Sequence, residues 1–89
     1  MDAGIVEKAA NAIADKHRLS ILLAAAQQPT IQCCAITSLT GLSQPTVSHH
    51  IKILVDSGIL IYDKTGRTVQ LTVNKDMMKD LSTFFGRLS

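Results

Sequence analysis

The sequence lacks any apolar run long enough to cross a membrane. Its longest such run, residues 21–26, has six residues, whereas a membrane-spanning helix needs about 18 or more. The first residues include Asp2 and Glu7 and contain no basic segment followed by an apolar one, so no secretion signal is expected. Low-complexity tracts, linkers and internal repeats are also absent. We therefore expect a single cytoplasmic domain covering residues 1–89.

Cysteine and charge are both scarce. The two cysteines, Cys33 and Cys34, are adjacent, and neighbouring cysteines form a strained, rare disulfide that closes no loop. This excludes the class of small secreted proteins that disulfides hold together. Charged residues make up 18% of the chain and the net charge is +2. Such a weak positive charge permits nucleic-acid binding without requiring it, so the positions of the charges are what matters.

Catalytic motifs are absent as well. The chain has no glycine-rich phosphate loop, no nucleophile elbow and no paired-carboxylate arrangement, so we do not expect an enzyme. Apolar residues, in contrast, are abundant, at 46% of the chain. Because a chain of this length buries only a modest part of its surface, this surplus predicts that some apolar side chains are buried against a second copy.

The first half of the chain predicts three helices. Residues 2–14 are rich in alanine and favour a helix with one apolar face, formed by Ile5, Ala9, Ala12 and Ile13. A second helix begins after Asp15, whose carboxylate can accept hydrogen bonds from the free amides of the first turn, and it ends before Pro29. A third, short helix is predicted over residues 33–40.

Residues 41–54 are the most informative segment. The third helix is expected to pack inward through Ile36 and Leu39. Gly41 stands at its end, where a residue that tolerates positive φ is needed. Ser43 is placed to cap a fourth helix, and Pro45 falls in its first turn, where a missing amide hydrogen costs nothing. The spacing i, i+4, i+7, i+8 then predicts a buried face, formed by Val47, Ile51, Leu54 and Val55.

The last third of the chain predicts two strands and a closing helix. Residues 59–62 read as one strand and residues 63–67 as a turn in which Gly66 supplies backbone freedom. Residues 69–73 alternate apolar and polar side chains, as a half-buried second strand does. A final, heavily apolar helix is capped by Asn74 or Asp76. The predicted fold class is mainly α (α+β), a winged helix-turn-helix of order α-α-α-α-β-β-α.

The fourth helix has a polar face opposite its apolar one. Gln44 projects from the helix start, where recognition helices contact bases, and the 3.6-residue period places on or beside this face Thr46, Ser48, His49 and Lys52. Gln pairs with adenine, Ser and Thr meet phosphates or base edges, and Lys neutralises phosphate. Because a turn precedes this helix and a hairpin follows it, we interpret the face as DNA-binding rather than merely solvated.

The remaining basic residues near this helix receive separate interpretations. Lys64 and Arg67 are predicted at the tip of the hairpin wing, where they would contact phosphate or the minor groove. His50 points toward the flank of the apolar face, and we interpret it as a packing residue. Arg18, at the start of the second helix, could brace the DNA backbone or pair with Asp15, and we favour the pairing.

Residues 14–22 (ADKHRLSIL), 39–54 (LTGLSQPTVSHHIKIL) and 57–60 (SGIL) together resemble the ArsR–SmtB family of bacterial repressors. The hairpin with Gly66 and Arg67 follows at the expected place, so the resemblance covers nearly the whole chain. One departure is Lys16, which stands where the family usually has proline.

The resemblance implies a homodimeric transcriptional repressor whose first and last helices form the dimer interface. The fourth helix would enter the major groove of a pseudo-palindromic operator, and the wing would reach the backbone or the minor groove. Members of the family typically repress an operon until a metal or another inducer releases them. The expected partners are therefore double-stranded operator DNA and a second copy of the chain, with no membrane.

The positions that bind the effector in metal-sensing relatives differ here. Those relatives carry a Cys-x-Cys pair at the start of the third helix, whereas Gln32 takes the first position here, Cys33 the middle and Cys34 the last. The closing helix lacks the family's histidine, because no histidine follows His50. We also expect no metal site made of His49 and His50, since successive helical residues diverge by about 100°. A tight site needs three or four ligands, so we expect no cofactor.

Three roles stay open for the two cysteines. We favour an inert, buried pair at the helix start. A reactive thiol, with its pKa lowered by the helix N-terminus, is the next alternative. The third is a thiol sensor in which Cys33 and Cys34 bind arsenite or a soft metal ion.

A rival hypothesis is a winged-helix protein-interaction module without specific DNA binding, because a fold does not determine a function. The modest net charge and the large apolar fraction fit this reading. The outer face of residues 44–52 distinguishes the two hypotheses. A docking surface would expose apolar side chains there, whereas this face is polar apart from Ile53.

Overall fold

The computed structural model describes residues 1–89 as five helices and three short strands. In chain order these are α1 (Ala3–Ile13), α2 (Lys16–Ala26), β1 (Ile31–Gln32), α3 (Cys33–Thr40), α4 (Gln44–Asp56), β2 (Leu60–Thr65), β3 (Thr68–Val73) and α5 (Lys75–Gly86). Every predicted helix and both hairpin strands are present. Strand β1, between α2 and α3, was not predicted.

Short polar side chains start most of the helices. The carboxylate of Asp2 accepts from a first-turn amide of α1, that of Asp15 accepts from two in α2, and the Asn74 side chain accepts from one in α5. Ser43 is the N-cap residue of α4, as predicted, but its hydroxyl accepts no hydrogen bond from a first-turn amide. That hydroxyl lies 2.9 Å from the Thr46 hydroxyl instead, so one side-chain bond replaces the expected cap.

The three strands form one antiparallel sheet of order β1-β3-β2. Leu71 of β3 lies in the middle, opposite Ile31 of β1 and Tyr62 of β2. Strand β1 has two residues, too few to show an alternating pattern, and its partner is about forty positions away in the chain. No periodicity in the sequence marks such a strand, which explains why it was missed.

The wing turn is tighter than predicted. Thr65 pairs with Thr68, so the turn consists of Gly66 and Arg67 rather than residues 63–67. Gly66 has a positive φ, 62°, whereas Arg67, the second residue of the turn, does not. This is the pattern of a type II′ hairpin turn, which has glycine at its first central position. Lys64 therefore lies within β2, opposite Val69, and the prediction that it sits at the tip is wrong.

The core joins four helices to the sheet. Its twelve buried residues are Ala9, Ala12, Ile21, Ala25, Ile31, Ile36, Val47, Ile51, Leu54, Ile59, Leu60 and Leu71. The prediction that Leu39 and Ile5 point into the core is wrong, because Leu39 is 55% exposed and Ile5 is 46% exposed. In α3 only Ile36 is buried, and in α1 the buried line is Val6, Ala9 and Ala12. Each of these helices therefore packs through a narrower stripe than its composition suggests.

The architecture is a winged helix-turn-helix, as the sequence predicts. Helices α3 and α4 are joined by a three-residue turn and the β2–β3 hairpin follows α4. No residue of α5 is fully buried, so this apolar helix lies on the outside of the core. The arrangement leaves the polar face of α4 and the apolar surfaces of α1 and α5 exposed.

The contrast between Ile36 and Leu39 gives a stability test within one helix. We expect Ile36→Ala to lower the free energy of unfolding by about 2–5 kcal/mol, because it removes fully buried methyl groups and leaves a cavity. Leu39→Ala, its control, should change it by less than about 0.5 kcal/mol, because that side chain is mostly exposed. Urea unfolding measures both values, and equal losses in the two variants would contradict this core.

Candidate nucleic-acid interface

The turn before α4 is set by the backbone of Gly41. This residue ends α3 in the left-handed conformation, with φ 71°, and its amide donates to the carbonyl of Thr37 at 3.0 Å. A side chain there would strain the backbone, which is why glycine suits the position. Pro45 then falls in the first turn of α4, where no amide donor is required. These two residues fix where α4 begins.

Helix α4 has one buried face and one exposed face. Val47, Ile51 and Leu54 are buried in the core, which fixes the rotation of the helix about its axis. All five side chains that the sequence assigns to DNA are exposed: Gln44, Thr46, Ser48, His49 and Lys52. Ile53, the one apolar exception on this side, is partly buried and packs against the core. Apart from Pro45 in the first turn, the exposed residues of α4 are therefore polar.

Hydrogen bonds organise the start of this face. The Thr37 hydroxyl of α3 donates to Oε1 of Gln44 at 3.1 Å, and Nε2 of Gln44 donates to the Ser48 hydroxyl at 3.3 Å. The Gln44 carboxamide is thus held at both ends although the side chain is exposed. Thr37 was not identified from the sequence, since a threonine inside a short helix gives no signal of what it faces across the turn.

Lys52, farther along the same face, has a partner of its own. Its ammonium group lies 3.0 Å from the Asp56 carboxylate, one turn later in α4. Both side chains are exposed, and an exposed pair of this kind contributes about 0.3–0.5 kcal/mol. So weak a contact leaves the Lys52 ammonium available to a phosphate.

The wing and α4 enclose two adjoining clefts. The larger, of about 420 Å³, has Gln44, Ser48 and Lys52 on one wall and Tyr62 and Val69 of the hairpin on the other. The smaller, of about 300 Å³, is lined by both Gln44 and Arg67. The structure thus gathers four of the seven predicted DNA-binding residues around one groove. Thr46, His49 and Lys64 line neither cleft.

Arg18 is structural, but its predicted partner is wrong. Its backbone amide, rather than its guanidinium, bonds the Asp15 carboxylate, at 3.0 Å. The guanidinium Nε donates to the carbonyl of Ala12 at the end of α1, at 2.6 Å, and a terminal nitrogen lies 3.4 Å from Nδ1 of His50 in α4. Because Arg has no acceptor, this contact needs an unprotonated Nδ1 on His50. Arg18 therefore ties α1, α2 and α4 together.

The pKa values around Arg18 follow from these contacts. Hydrogen bonding by the Arg18 amide is the main cause that lowers the pKa of Asp15. Burial is the main cause that lowers the pKa of His50; the positive charges of Arg18, His17 and His49 act in the same direction, and the Asp15 carboxylate opposes them. His50 packs against His17, with ring centroids 5.9 Å apart. The prediction that His50 is a packing residue agrees with this geometry.

Cys33 and Cys34 begin α3 as free thiols. Burial, and secondarily the neighbouring Cys34, raises the pKa of the Cys33 thiol, which is the opposite of the activation suggested by a helix N-terminus. The expectation of a buried pair is wrong for Cys34, which is exposed and whose sulfur lies 3.5 Å from the Gln32 side-chain oxygen. No group of three or more His, Cys, Asp or Glu side chains is arranged to hold a metal ion.

Helix α4, with the turn before it and the wing after it, defines the chain as a winged helix-turn-helix protein in which α4 has a polar outer face. The family model described as "Bacterial regulatory protein, arsR family" matches residues 15–62, which is more than half of the chain. The chain belongs to the ArsR family of bacterial transcriptional regulators, as the resemblance predicts.

Two curated relatives match most of the chain. One is the cadmium resistance transcriptional regulatory protein CadC homolog of Staphylococcus aureus, 28% identical over 76 residues, which are 85% of this chain and 63% of the relative. The other is the arsenical resistance operon repressor of Bacillus subtilis, 27% identical over 75 residues, which are 84% of this chain and 71% of the relative. The chain thus spans about two thirds of the length of these proteins.

The fold has close counterparts among solved structures. The homodimeric winged helix-turn-helix DNA-binding domain of Mb0332 from Mycobacterium bovis superposes with a TM-score of 0.78 at 22% identity, over 96% of this chain and 79% of that one. At this identity the similarity bears on the fold alone. No helix of the chain combines the length and the apolar character needed to span a membrane.

The lowered pKa of His50 predicts a loss of stability in mild acid. An unfolded histidine has a pKa of about 6.5, so as the pH falls the unfolded chain takes up this proton before the folded one does. The stability linked to neutral His50 is complete above about pH 6.5 and declines as the pH falls through the lower, folded pKa. We expect the free energy of unfolding to fall less between pH 7.5 and pH 5.5 in His50→Gln than in the unchanged protein.

Urea unfolding at the two pH values measures this difference. His49→Gln is the comparison variant, because His49 is exposed and makes no contact with Arg18. Its charge is only a minor cause of the lowered pKa of His50, after burial, so this variant should keep most of the original pH dependence. The same loss of stability in His50→Gln and in the unchanged protein would refute the assignment.

Proposed function

We propose that this chain is a homodimeric transcriptional repressor that binds a pseudo-palindromic operator and is released by an effector. The observation that carries the proposal is the two-faced α4: its apolar face is locked into the core, so its polar face has to point outward beside the wing. A recognition helix needs this arrangement in order to enter a major groove. A protein with this role works in the bacterial cytoplasm, where operator DNA lies, and no side chain is assigned a catalytic task.

The outward side chains of α4 divide into two kinds of contact. Gln44, near the helix start, suits the N6 and N7 edge of adenine, because its carboxamide both donates and accepts. Thr46, Ser48 and His49 can donate to phosphates or base edges. Lys52 supplies a positive charge for phosphate, and leaving Asp56 costs it no more than the fraction of a kcal/mol that an exposed pair contributes.

The wing supplies a second contact region. Arg67 lies in the hairpin turn and shares a cleft with Gln44, so it is close enough to α4 to act on the same stretch of duplex. Lys64 is exposed on β2, two positions before the turn. We assign both side chains to the phosphate backbone or the minor groove that flanks the major groove read by α4.

Exposed apolar residues on the outer helices support a homodimer. Ile5 of α1 is 46% exposed, Phe85 of α5 is 52% exposed, and Leu88 just beyond α5 is 72% exposed. Met1 shares a cleft of about 280 Å³ with Phe84, which places the start of α1 beside α5. Several exposed apolar side chains on two neighbouring helices are typical of a protein–protein interface. The related domain from Mycobacterium bovis is homodimeric.

Repression and release rest on the family rather than on a visible effector site. The relative in Bacillus subtilis is named an arsenical resistance operon repressor, and we transfer the repressor role to this chain. Sensing of arsenite or a soft metal by Cys33 and Cys34 stays a prediction. Two thiols fall short of the three or four ligands of a tight site, and their neighbourhood provides no third group of the required type.

The rival function, a protein-interaction module, finds less support. It would require exposed apolar side chains on the outer face of α4, whereas Ile53 packs against the core and its neighbours there are polar. The exposed apolar residues lie mainly on α1, α2 and α5 and on β2 instead. These surfaces fit self-association better than a docking role for α4.

The salt dependence of DNA binding tests the role of Lys52. Each phosphate contact contributes about 0.9 to the slope of log K against log salt concentration. Lys52→Ala should therefore flatten the slope by about one unit for each protomer bound. Fluorescence anisotropy with a duplex from the chain's own upstream region, at several salt concentrations, measures the slope.

Lys75→Ala is the matched control, because it removes the same charge from the start of α5, where Lys75 lines a cleft with the end of α2 and with β3. It should leave the slope close to that of the unchanged protein. If random duplex bound as tightly as the upstream region, the specific-repressor function would be wrong.

The dimer interface is tested by a single charge on α5. Phe85→Asp should convert a dimer, of twice 9.6 kDa, into a monomer of 9.6 kDa, because a carboxylate in an apolar interface loses its hydration without gaining a partner. Multi-angle light scattering measures the mass. Leu39→Asp, at an equally exposed leucine of α3, should remain dimeric, and a dimeric Phe85→Asp protein would contradict this interface.

A further inference from the structure

We propose that Thr37 is a specificity-determining positioning residue, whose hydroxyl holds the Gln44 carboxamide in the orientation that reads one base pair. This inference rests on the proposed DNA-binding function and deepens it. Thr37 belongs to α3, the helix before the turn, and not to the reading helix itself. Nothing in its type or position in the sequence assigns it a role.

The geometry places Thr37 directly behind Gln44. The Thr37 side chain is partly buried between α3 and α4, and its hydroxyl lies 3.1 Å from Oε1 of Gln44. The same hydroxyl lies 3.3 Å from the carbonyl of Cys33. A hydroxyl has one hydrogen to donate, and we assign it to Gln44 because that contact is shorter. The opposite end of the carboxamide donates to the Ser48 hydroxyl at 3.3 Å.

The two anchors leave Gln44 with one donor and one acceptor. A carboxamide has two N–H donors and two oxygen lone pairs; Ser48 takes one donor and Thr37 takes one lone pair. The remaining N–H and lone pair are what the N7 acceptor and N6 donor of adenine require. The Gln44 side chain can therefore still bond adenine, while its two anchors fix which end of the carboxamide is the nitrogen and which is the oxygen.

Loss of the Thr37 hydroxyl removes that distinction. A free carboxamide turns over easily, so its N–H groups can meet the acceptors of guanine as well as the edge of adenine. One hydrogen bond of this type is worth about a 2- to 10-fold change in an equilibrium. We therefore expect a loss of that size in the preference at one base pair of each half-site, with little change in the phosphate contacts.

The experiment is a selection from a pool of duplexes with a randomised central segment, using the purified full chain. Bound duplexes are sequenced for the unchanged protein and for Gln44→Ala, which identifies the base pair that depends on Gln44. Dissociation constants are then measured at one fixed salt concentration for the selected duplex and for its variants at that pair. The proteins compared are the unchanged chain, Thr37→Val, Thr37→Ser and Thr30→Val.

Thr37→Val keeps the shape of the side chain and removes the hydroxyl. The preference at the Gln44-dependent pair should fall about 2- to 10-fold in this variant, and the salt slope should stay as it was. The double variant with Gln44→Ala should show no further loss of preference beyond that of Gln44→Ala alone. Thr37→Ser restores the hydroxyl and should restore the preference. Thr30→Val makes the same exchange at an exposed position outside α3 and α4, and it should leave the preference unchanged.

Two results would overturn the inference while leaving DNA binding intact. One is full preference at the Gln44-dependent pair in Thr37→Val. The other is an equal loss of affinity for every duplex, which would mean that Thr37 only stabilises the fold. If the unchanged protein selects no sequence at all, the proposed function itself is wrong and this inference is wrong with it.

Discussion

The burial of one face of α4 is the constraint on which the rest of the structure depends. Val47, Ile51 and Leu54 are each almost inaccessible to solvent, and burying one such side chain stabilises the fold by about 1.5–3 kcal/mol. The bonds on the opposite face, such as those of Gln44, are exposed and contribute about 0.5–1.5 kcal/mol each. The buried face therefore sets the rotation of α4 about its axis, and the direction of the side chains on the outer face follows from it.

Arg18 extends this constraint to the rest of the helical layer. Its guanidinium bonds the last turn of α1 and contacts His50, on the flank of the buried face of α4. A helix on the proposed dimer surface is thereby joined to the reading helix by one side chain. The spacing between two reading helices of a dimer sets the half-site spacing that an operator has to match. A rigid link between α1 and α4 is what such a spacing requires.

Sequence reasoning works here where signals are local. The 3.6-residue period of Val47, Ile51 and Leu54, the cap at Asp15 and the glycine backbone at position 66 each depend on a few neighbouring residues, and all three are found as predicted. Two failures involve partners that lie in another element of the fold. Strand β1 exists only because β3 pairs with it, and Arg18 finds carbonyls of α1 rather than the nearby Asp15 side chain.

The candidate site divides in the same way. The outward position of Gln44, Ser48 and Lys52 follows from helical periodicity, whereas the contact of Thr37 with Gln44 depends on how two helices cross. The exposure of Leu39 also depends on that crossing, since α3 packs through Ile36 alone. Amphipathic patterns predict which helix faces are buried, but they do not specify the pairs of side chains that meet between helices.

The central claim is that the outer face of α4 and the wing contact duplex DNA. Backbone amide shifts in an NMR titration of the full chain with a duplex selected from a randomised pool test it most directly. We predict that the largest changes fall on residues 44–52 and 64–67, with small changes along α5. Changes concentrated on α1 and α5, with residues 44–52 unaffected, would contradict the account.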